Sequence, residues 1–388
     1  MNNKYKDIQN SPLNLDNCND WRQKSFSNPK ATVRIGTSFS GIGAIEHAFK
    51  RLGLNSKIQF AGDIDEDCKK SYFANYEIDE SAWHNDIHNF DATSFEGKID
   101  LFVGGAPCQA FSIRGKRGGF DDTRGTLFRE FARIVLECKP KIFIFENVRG
   151  ILNHNKGNTW KVIKQTFEKD CGYKIYYQIL NGKNYGVPQS RDRLFCIGFR
   201  EDTDFKFPCP IELTSNIYDY LDASVSIKYL LKEKGAFFVT RNINIEKSYT
   251  QINGQVALCQ KRNQQFNWHG DFVFHPMVNK DIYKINHSCL FPTSYGETQS
   301  YINDNLSKYV VSVKGDSIIR CASDDDVNYD VGCFRKLTPR ECLRLMGFDD
   351  TFNIVVSDTA IYKQAGNSII VDVLMALLRQ LDITAYGE

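Results

Sequence analysis

VRIGTSFSGIGAIEHAF, residues 33–49, is the stretch on which the fold turns. Val33–Phe39 is a short, mostly apolar run that reads as a strand. Ser40-Gly41-Ile42-Gly43 follows as a turn, and Ile45, Ala48, Phe49 and Leu52 then recur along one face of a helix. That order sets a helix N-terminus at the carboxyl end of a strand, where glycine lets a ligand approach the backbone. The next apolar run, IQFAG (58–62), ends at Asp63, whose carboxylate suits the hydroxyls of a ribose. Ala44, Ile45 and Glu46 come directly after Gly43, so no third glycine completes a dinucleotide fingerprint. An adenosine cofactor other than NAD is expected.

Outward from this unit the pattern repeats. IDLFVGG (99–105), KIFIF (141–145) and LFCIGF (194–199) are further strand candidates. Leu127, Phe128, Phe131, Ala132, Val135 and Leu136 keep a helical stripe that Pro140 cannot continue. Strands alternating with helices predict an α/β domain with a mostly parallel sheet. The alternation stops near Arg200, and 201–333, irregular and rich in Asn, Tyr and Phe, reads as an inserted second domain. Within it, 228–262 is basic and 316–330 acidic, so a phosphate backbone would meet the first and avoid the second. Helical signals return at Thr338-Pro339-Arg340-Glu341, with Thr as N-cap, Pro at the first position and Glu completing a capping box. Gly347 suits a helix stop. A last helix, with Ile369, Val373, Leu374, Leu377, Leu378 and Leu381 on one face, follows Gly366-Asn367-Ser368.

With 42% hydrophobic and 25% charged residues, the 388-residue chain has the composition of a soluble globular protein with room for two domains. No apolar run approaches a membrane span and no secretory signal is apparent, so no membrane association is expected. Twelve cysteines without a C-x-x-C pair argue against a zinc site or a disulfide framework, and predict a reduced, cytoplasmic protein that needs no metal. A net charge of +2 does not by itself mark a nucleic-acid binder.

Three constellations could carry chemistry. Gly104-Gly105-Ala106-Pro107-Cys108-Gln109 puts a cysteine just beyond a strand, in the crevice where such sheets bind ligands, with Pro107 stiffening the turn. The loop after it, FSIRGKRGGFDDTRG (111–125), is basic and glycine-rich, suited to closing over a phosphate backbone. Ile142-Phe143-Ile144-Phe145 runs into Glu146, an acid that would be costly there unless the strand end uses it. Gln189-Ser190-Arg191-Asp192-Arg193 directs two guanidinium groups to one face, able to orient a carboxylate or a base carbonyl. Asp86 is expected at the end of a third strand, near an adenine.

These blocks resemble the cytosine-5 DNA methyltransferases, most closely the modification enzymes of bacterial restriction systems. The matching segments run in the family's order: SFSGIGAIEHAF, Asp63, Asp86-Ile87, GGAPCQAFS, RGTLF, FENVRG, QSRDR, RKLTPRECLRLMGF and QAGNSIIV. The resemblance implies a Rossmann-like domain binding S-adenosylmethionine (AdoMet), at 33–205 plus 362–388. It also implies a smaller target-recognition domain and hinge at 206–361, and 1–32 is left as a loose polar arm. Phe39, Gly41, Ile42, Asp63, Ile64, Asp86, Ile87, Pro107, Leu127, Asn367 and Ser368 would line the AdoMet pocket. Cys108 would be the nucleophile, Glu146 would contact the target base, and Arg191 and Arg193 would support them. Ala44 stands where the family usually has Gly, and Ile64 where it often has Trp.

The chemistry of that reaction asks for such a set. Cytosine is too electron-poor at carbon 5 to attack a methyl sulfonium, but a thiolate adding at carbon 6 makes carbon 5 nucleophilic. An acid at ring nitrogen 3 and an arginine near the exocyclic oxygen would stabilise the added charge. The base must also leave the duplex stack. Double-stranded DNA is the implied partner of a monomeric enzyme, and any companion restriction endonuclease would form no stable complex with it. A tRNA cytosine-5 methyltransferase, or an inert DNA-binding regulator on the same scaffold, is the alternative. Base-reading side chains are sought among Gln260, Lys261, Arg262, Asn263, Gln264 and Gln265.

Overall fold

The computed structural model describes residues 20–107, 127–231, 233–263, 268–276, 311–314, 317–320 and 332–388. Cys108, the loop 111–125, and Gln264 and Gln265 lie outside the described residues.

A seven-stranded sheet forms the centre. Its strands are β1 (Thr32–Ser38), β2 (Asn55–Gly62), β3 (Trp83–His84), β4 (Leu101–Gly104), β5 (Ile142–Val148), β6 (Lys174–Asn181) and β7 (Asp192–Phe199), in the order β3-β2-β1-β4-β5-β7-β6. The first five are parallel, and β7 runs antiparallel between β5 and β6. All four residues of β4 and the first four of β5 are buried, as befits parallel strands covered on both faces. One face carries α1 (Ala44–Leu52), and the other carries α3 (Leu127–Cys138) over a nest of phenylalanines that includes Phe102, Phe131, Phe143, Phe145 and Phe167. Between β2 and β3 lies α2 (Glu66–Phe73), and α4 (Asn158–Gln165) leads towards β6.

The expected α/β fold is present, with departures in detail. β6 was not anticipated as a strand, whereas the third strand expected before Asp86 is present as the two-residue β3 and ends two residues short of it. β5 continues two residues past Glu146, so the acid sits inside the strand rather than at its end. Residues 20–31, expected to belong to a loose arm, are docked: Trp21 is buried, and the Ser27 N–H donates to Asp382 at 3.0 Å. Cys209 is disulfide-bonded, against the expectation of a wholly reduced chain. Asp358–Leu381 reaches the length and apolarity of a membrane span only when taken as one piece; it is two helices broken at residues 368–370, and most of it is buried within the fold.

The inserted region is less irregular than its sequence implies. α5 (Glu233–Val239) and α6 (Asn242–Glu246) precede β8 (Thr250–Ile252) and β9 (Gly270–Pro276). A β10–β11 hairpin (Val311–Lys314, Ser317–Arg320) and β12 (Gly332–Lys336) follow. β12, β9 and β8 form a separate sheet over a small core of Leu231, Ala236, Val239, Phe272, Phe274 and Phe334. The chain then returns through α7 (Pro339–Arg344), α8 (Asp358–Asn367) and α9 (Val371–Leu381). Leu343, Leu345, Met346, Phe348 and Phe352 pack with α1 and α9 in the core of the large sheet. The capping box foreseen at Thr338 and Glu341 is formed. The same Glu341 carboxylate also takes both Nη groups of buried Arg335 at 2.7 and 2.8 Å and the Asp222 N–H at 2.8 Å.

Candidate active site

Strand register aligns the ends of the parallel strands. Ser38 lies opposite Gly104 and Gly104 opposite Phe145, while Gly62 lies opposite His84. Phe39, Asp63, Gly105 and Glu146 therefore each stand one residue beyond this edge. The four segments singled out by sequence lie along one edge of the sheet.

On the α1 side, Phe39 and Gly41 both take φ 55°, which turns the chain sharply out of β1. The Gly41 N–H donates to Asp63 Oδ2 at 2.9 Å, and Asp63 Oδ1 accepts the Asp65 N–H at 3.0 Å. Burial raises the Asp63 carboxyl above its ordinary range, and these two N–H groups oppose it. Ile64, next along, is 79% exposed, an unusual state for an isoleucine and one that leaves an apolar face for a flat ligand. Ile42 and Ile87 are buried in the cores, so they have mainly backbone to offer a ligand. Asp86 is half-exposed two residues past β3 and is held by His88, whose hydrogen bonds keep its carboxyl below the usual range. Phe39 and Leu127 both pack against the α3-side core. Pro107 and Asn367 are exposed and Ser368 is buried. The open glycine turn, the adjacent acid and the bare Ile64 fit an adenosine-bearing methyl donor.

On the β5 side, Glu146 Oε1 takes Arg193 Nε at 3.1 Å, with the acid 12% and the arginine 17% exposed. Burial pushes the Glu146 carboxyl upward, and the charges of Arg193 and Arg191 pull it part of the way back. The turn that leads to Cys108 passes directly over this acid: a Cβ on Gly105 would lie 3.0 Å from Glu146 Oε2. Asn147 Nδ2 donates to the Ala106 carbonyl at 2.9 Å and ties that turn to β5.

Arg191 does something different from its neighbour. It is buried, and its Nη groups donate to the carbonyls of Gln260 (2.7 Å), Gly366 (3.1 Å) and Ser368 (2.7 Å). Burial, aided by the charge of Arg193, lowers this guanidinium to about 10. Both arginines do share a face, since both reach Cys259 Sγ, at 3.7 and 3.9 Å, but only Arg193 meets the acid. Gln189, a third member of that alternating set, has Oε1 on the Gln260 N–H at 3.0 Å and Nε2 on the Leu345 carbonyl at 2.7 Å. Gln260 is therefore gripped by its backbone and buried, which removes it from the exposed base-reading candidates. A side chain on Gly366 would collide with the backbone of Lys261 and Arg262, so the inserted region presses directly on the Gly-Asn-Ser turn. The roles of Gln189 and Asn147 were missed by the sequence reading. The alternation Gln189, Arg191, Arg193 was a usable signal, because residues two apart in extended chain share a face.

Comparison with solved structures gives the fold. A DNMT2 from Spodoptera frugiperda superposes with a TM-score of 0.63 at 20% identity, covering 90% of this chain and 99% of that one. The Entamoeba histolytica methyltransferase EhMeth gives 0.61 at 18%, covering 91% and 98%. The fold is the Rossmann-like one of AdoMet-dependent methyltransferases. Sequence comparison narrows it. The family described as C-5 cytosine-specific DNA methylase matches residues 34–382. Type II methyltransferase M.SsoII of Shigella sonnei is 33% identical, covering 92% of this chain and 81% of its own. M.HpaII of Haemophilus parainfluenzae is 33% identical (87% and 86%), and M.HhaI of Haemophilus parahaemolyticus 31% (88% and 92%). The chain belongs to the C-5 cytosine-specific DNA methylase family and is a DNA (cytosine-5) methyltransferase with AdoMet as its methyl donor.

Proposed function

We propose that this enzyme methylates a flipped-out cytosine within a specific duplex sequence through a transient bond to Cys108, as the modification enzyme of a restriction-modification system. The observation that carries the reading is the Glu146–Arg193 pair, part-buried beneath the Gly-Gly-Ala-Pro turn that leads into Cys108. In this mechanism the Cys108 thiolate adds to carbon 6 of the ring. Glu146 donates a hydrogen bond or proton to ring nitrogen 3, and the 5,6 electron pair becomes available at carbon 5. Bound AdoMet supplies an electrophilic methyl group there. Removal of the carbon 5 proton then re-forms the 5,6 double bond and expels the thiolate. Arg193 holds Glu146 in place, while Arg191 braces the segments around it.

Phe39, Gly41, Asp63, Ile64, Asp86, Pro107, Leu127, Asn367 and Ser368 would surround AdoMet, with Ile42 and Ile87 behind them. Residues 33–205 and 362–388 would form the catalytic domain, and 206–361 the recognition domain and hinge, anchored where Leu343–Phe352 enters the large core. The type II names of relatives above 30% identity favour DNA over a tRNA substrate. A cytoplasmic monomer without a stable nuclease complex completes the proposal. C108S tests it: methyl transfer to DNA should vanish while AdoMet binding stays near wild type, and retained transfer would refute the covalent route.

A further inference from the structure

Beneath the cofactor turn lies an acid to which the sequence reading gave no role. Glu46, in the first turn of α1, is 4% exposed. Its Oε1 accepts the Tyr72 hydroxyl at 2.6 Å and the Thr37 hydroxyl at 3.3 Å. Thr37 Oγ1 lies 2.7 Å from Ser40 Oγ, and Ser40 Oγ accepts the Gly62 N–H at 2.9 Å. Each hydroxyl has one proton to give. Thr37 gives its proton to the acid, so Ser40 must give its own to Thr37. The donors then run one way, from Gly62 through Ser40 and Thr37 to Glu46, with Tyr72 joining from α2. The Ser40 N–H also donates to the Gly62 carbonyl at 2.9 Å, and the Gly41 N–H to Asp63. The turn that faces the cofactor is thus fastened to the end of β2 by a chain whose terminal acceptor is Glu46.

The surroundings make this acceptor titratable. Burial lifts the Glu46 carboxyl to about 7, against the pull of Tyr72 and Thr37, and its Oε2 is buried with no hydrogen-bond partner among the described residues. From α2 it faces Tyr72 and from the turn after that helix Tyr76, both held far above the ordinary tyrosine range by burial and by Glu46 itself. From β1 and its turn it faces Thr37 and Ser40. On its own helix, His47 contacts Asp349 instead, and burial lowers its imidazole to about 4.

We propose that Glu46 is a positioning residue for AdoMet: ionised, it tightens the donor chain that holds the Ser40–Gly43 turn, and protonation loosens that grip. A charged acceptor strengthens the hydrogen bonds it receives. AdoMet also brings a sulfonium and an ammonium, and approaching cations favour the ionised acid. The inference rests on AdoMet occupying this turn.

Calorimetric titration of the cofactor-free protein with AdoMet, without DNA, tests it at pH 6, 7 and 8 in two buffers of different ionisation enthalpy. Wild type should bind about three- to tenfold more tightly at pH 8 than at pH 6 and release a fraction of a proton at pH 7. E46Q, still an acceptor but never charged, should bind with a flat pH profile and no proton release. T37V, which cuts the chain but leaves the acid, should lose affinity at pH 8. Unchanged pH dependence and proton release in E46Q, or wild-type binding by T37V, would overturn the proposal. If circular dichroism shows E46Q unfolded, T37V decides. Failure of the wild type to bind AdoMet at any pH would instead overturn the cofactor assignment on which the proposal rests.

Discussion

At the scale of single residues, Glu146 sits between opposing influences, with burial favouring its neutral form and the two arginines favouring the charged one. The net raised pKa suits an acid that must hold a proton towards neutral pH and share it with a ring nitrogen. Because the active form is the protonated one, methyl transfer should decline as pH rises through the Glu146 ionisation. R193M, which removes a charge that favours ionisation, should move that decline to higher pH. E146Q should lower kcat by about 10²- to 10⁴-fold with AdoMet affinity intact, measured by tritiated methyl transfer beside calorimetry. A pH–rate profile unmoved in R193M would remove Glu146 from the acid's role. The sequence displayed Glu146 and Arg193 plainly, an acid in an apolar strand and an arginine in an alternating set. It concealed the fate of Arg191, because the carbonyls it binds come from Gln260, Gly366 and Ser368, far along the chain. Backbone carbonyls carry no side-chain signature, so no local pattern could have pointed to them.

At the scale of elements, α7 unites what a sequence can and cannot declare. Thr338, Pro339 and Glu341 spell a helix start through local chemistry, and the capping box is there. The buried pair with Arg335 and the bonds to Asp222 depend on a strand and a loop that only the fold brings alongside. This knot ties the small sheet to the large core, and breaking a buried ion pair from one side leaves an unpaired charge. E341Q should therefore cost about 3–5 kcal/mol in urea unfolding. A loss below about 1 kcal/mol would show that the pair is dispensable. β6 escaped the sequence reading for a related reason. It is an edge strand, KIYYQILN, whose burial does not alternate, so it lacks the period of two that marks a half-buried strand. β7 was legible because six consecutive residues, Leu194–Phe199, are buried.

At the scale of the whole molecule, the buried titratable groups set a pH window for stability. Burial raises Glu46 and Asp271 to about 7 each. The folded protein thus keeps protons that the unfolded chain releases near pH 4, so their contribution is complete at low pH and lost as pH rises through 7. Burial lowers His47 and His84 to about 4, so their contribution is complete above the ordinary histidine pKa and lost as pH falls towards 4. The two losses oppose one another between about pH 4.5 and 6.5, so the melting temperature should be nearly flat there and fall on either side. E46Q should soften the decline towards pH 8, where ionising Glu46 costs up to about 3 kcal/mol. An identical decline in E46Q, followed by scanning calorimetry, would exclude Glu46 as its source. Exchange of the inserted region for that of a relative should change which sequence is methylated, read by bisulfite sequencing, while the chemistry is kept. Unchanged specificity would move recognition elsewhere. Incubation with AdoMet and duplex DNA carrying 5-fluorocytosine at the target should trap a denaturation-resistant adduct, because fluorine cannot leave as a proton does. Peptide mapping should find the link at Cys108. An enzyme that methylates cytosine yet forms no such adduct, or forms it at another residue, would contradict the account.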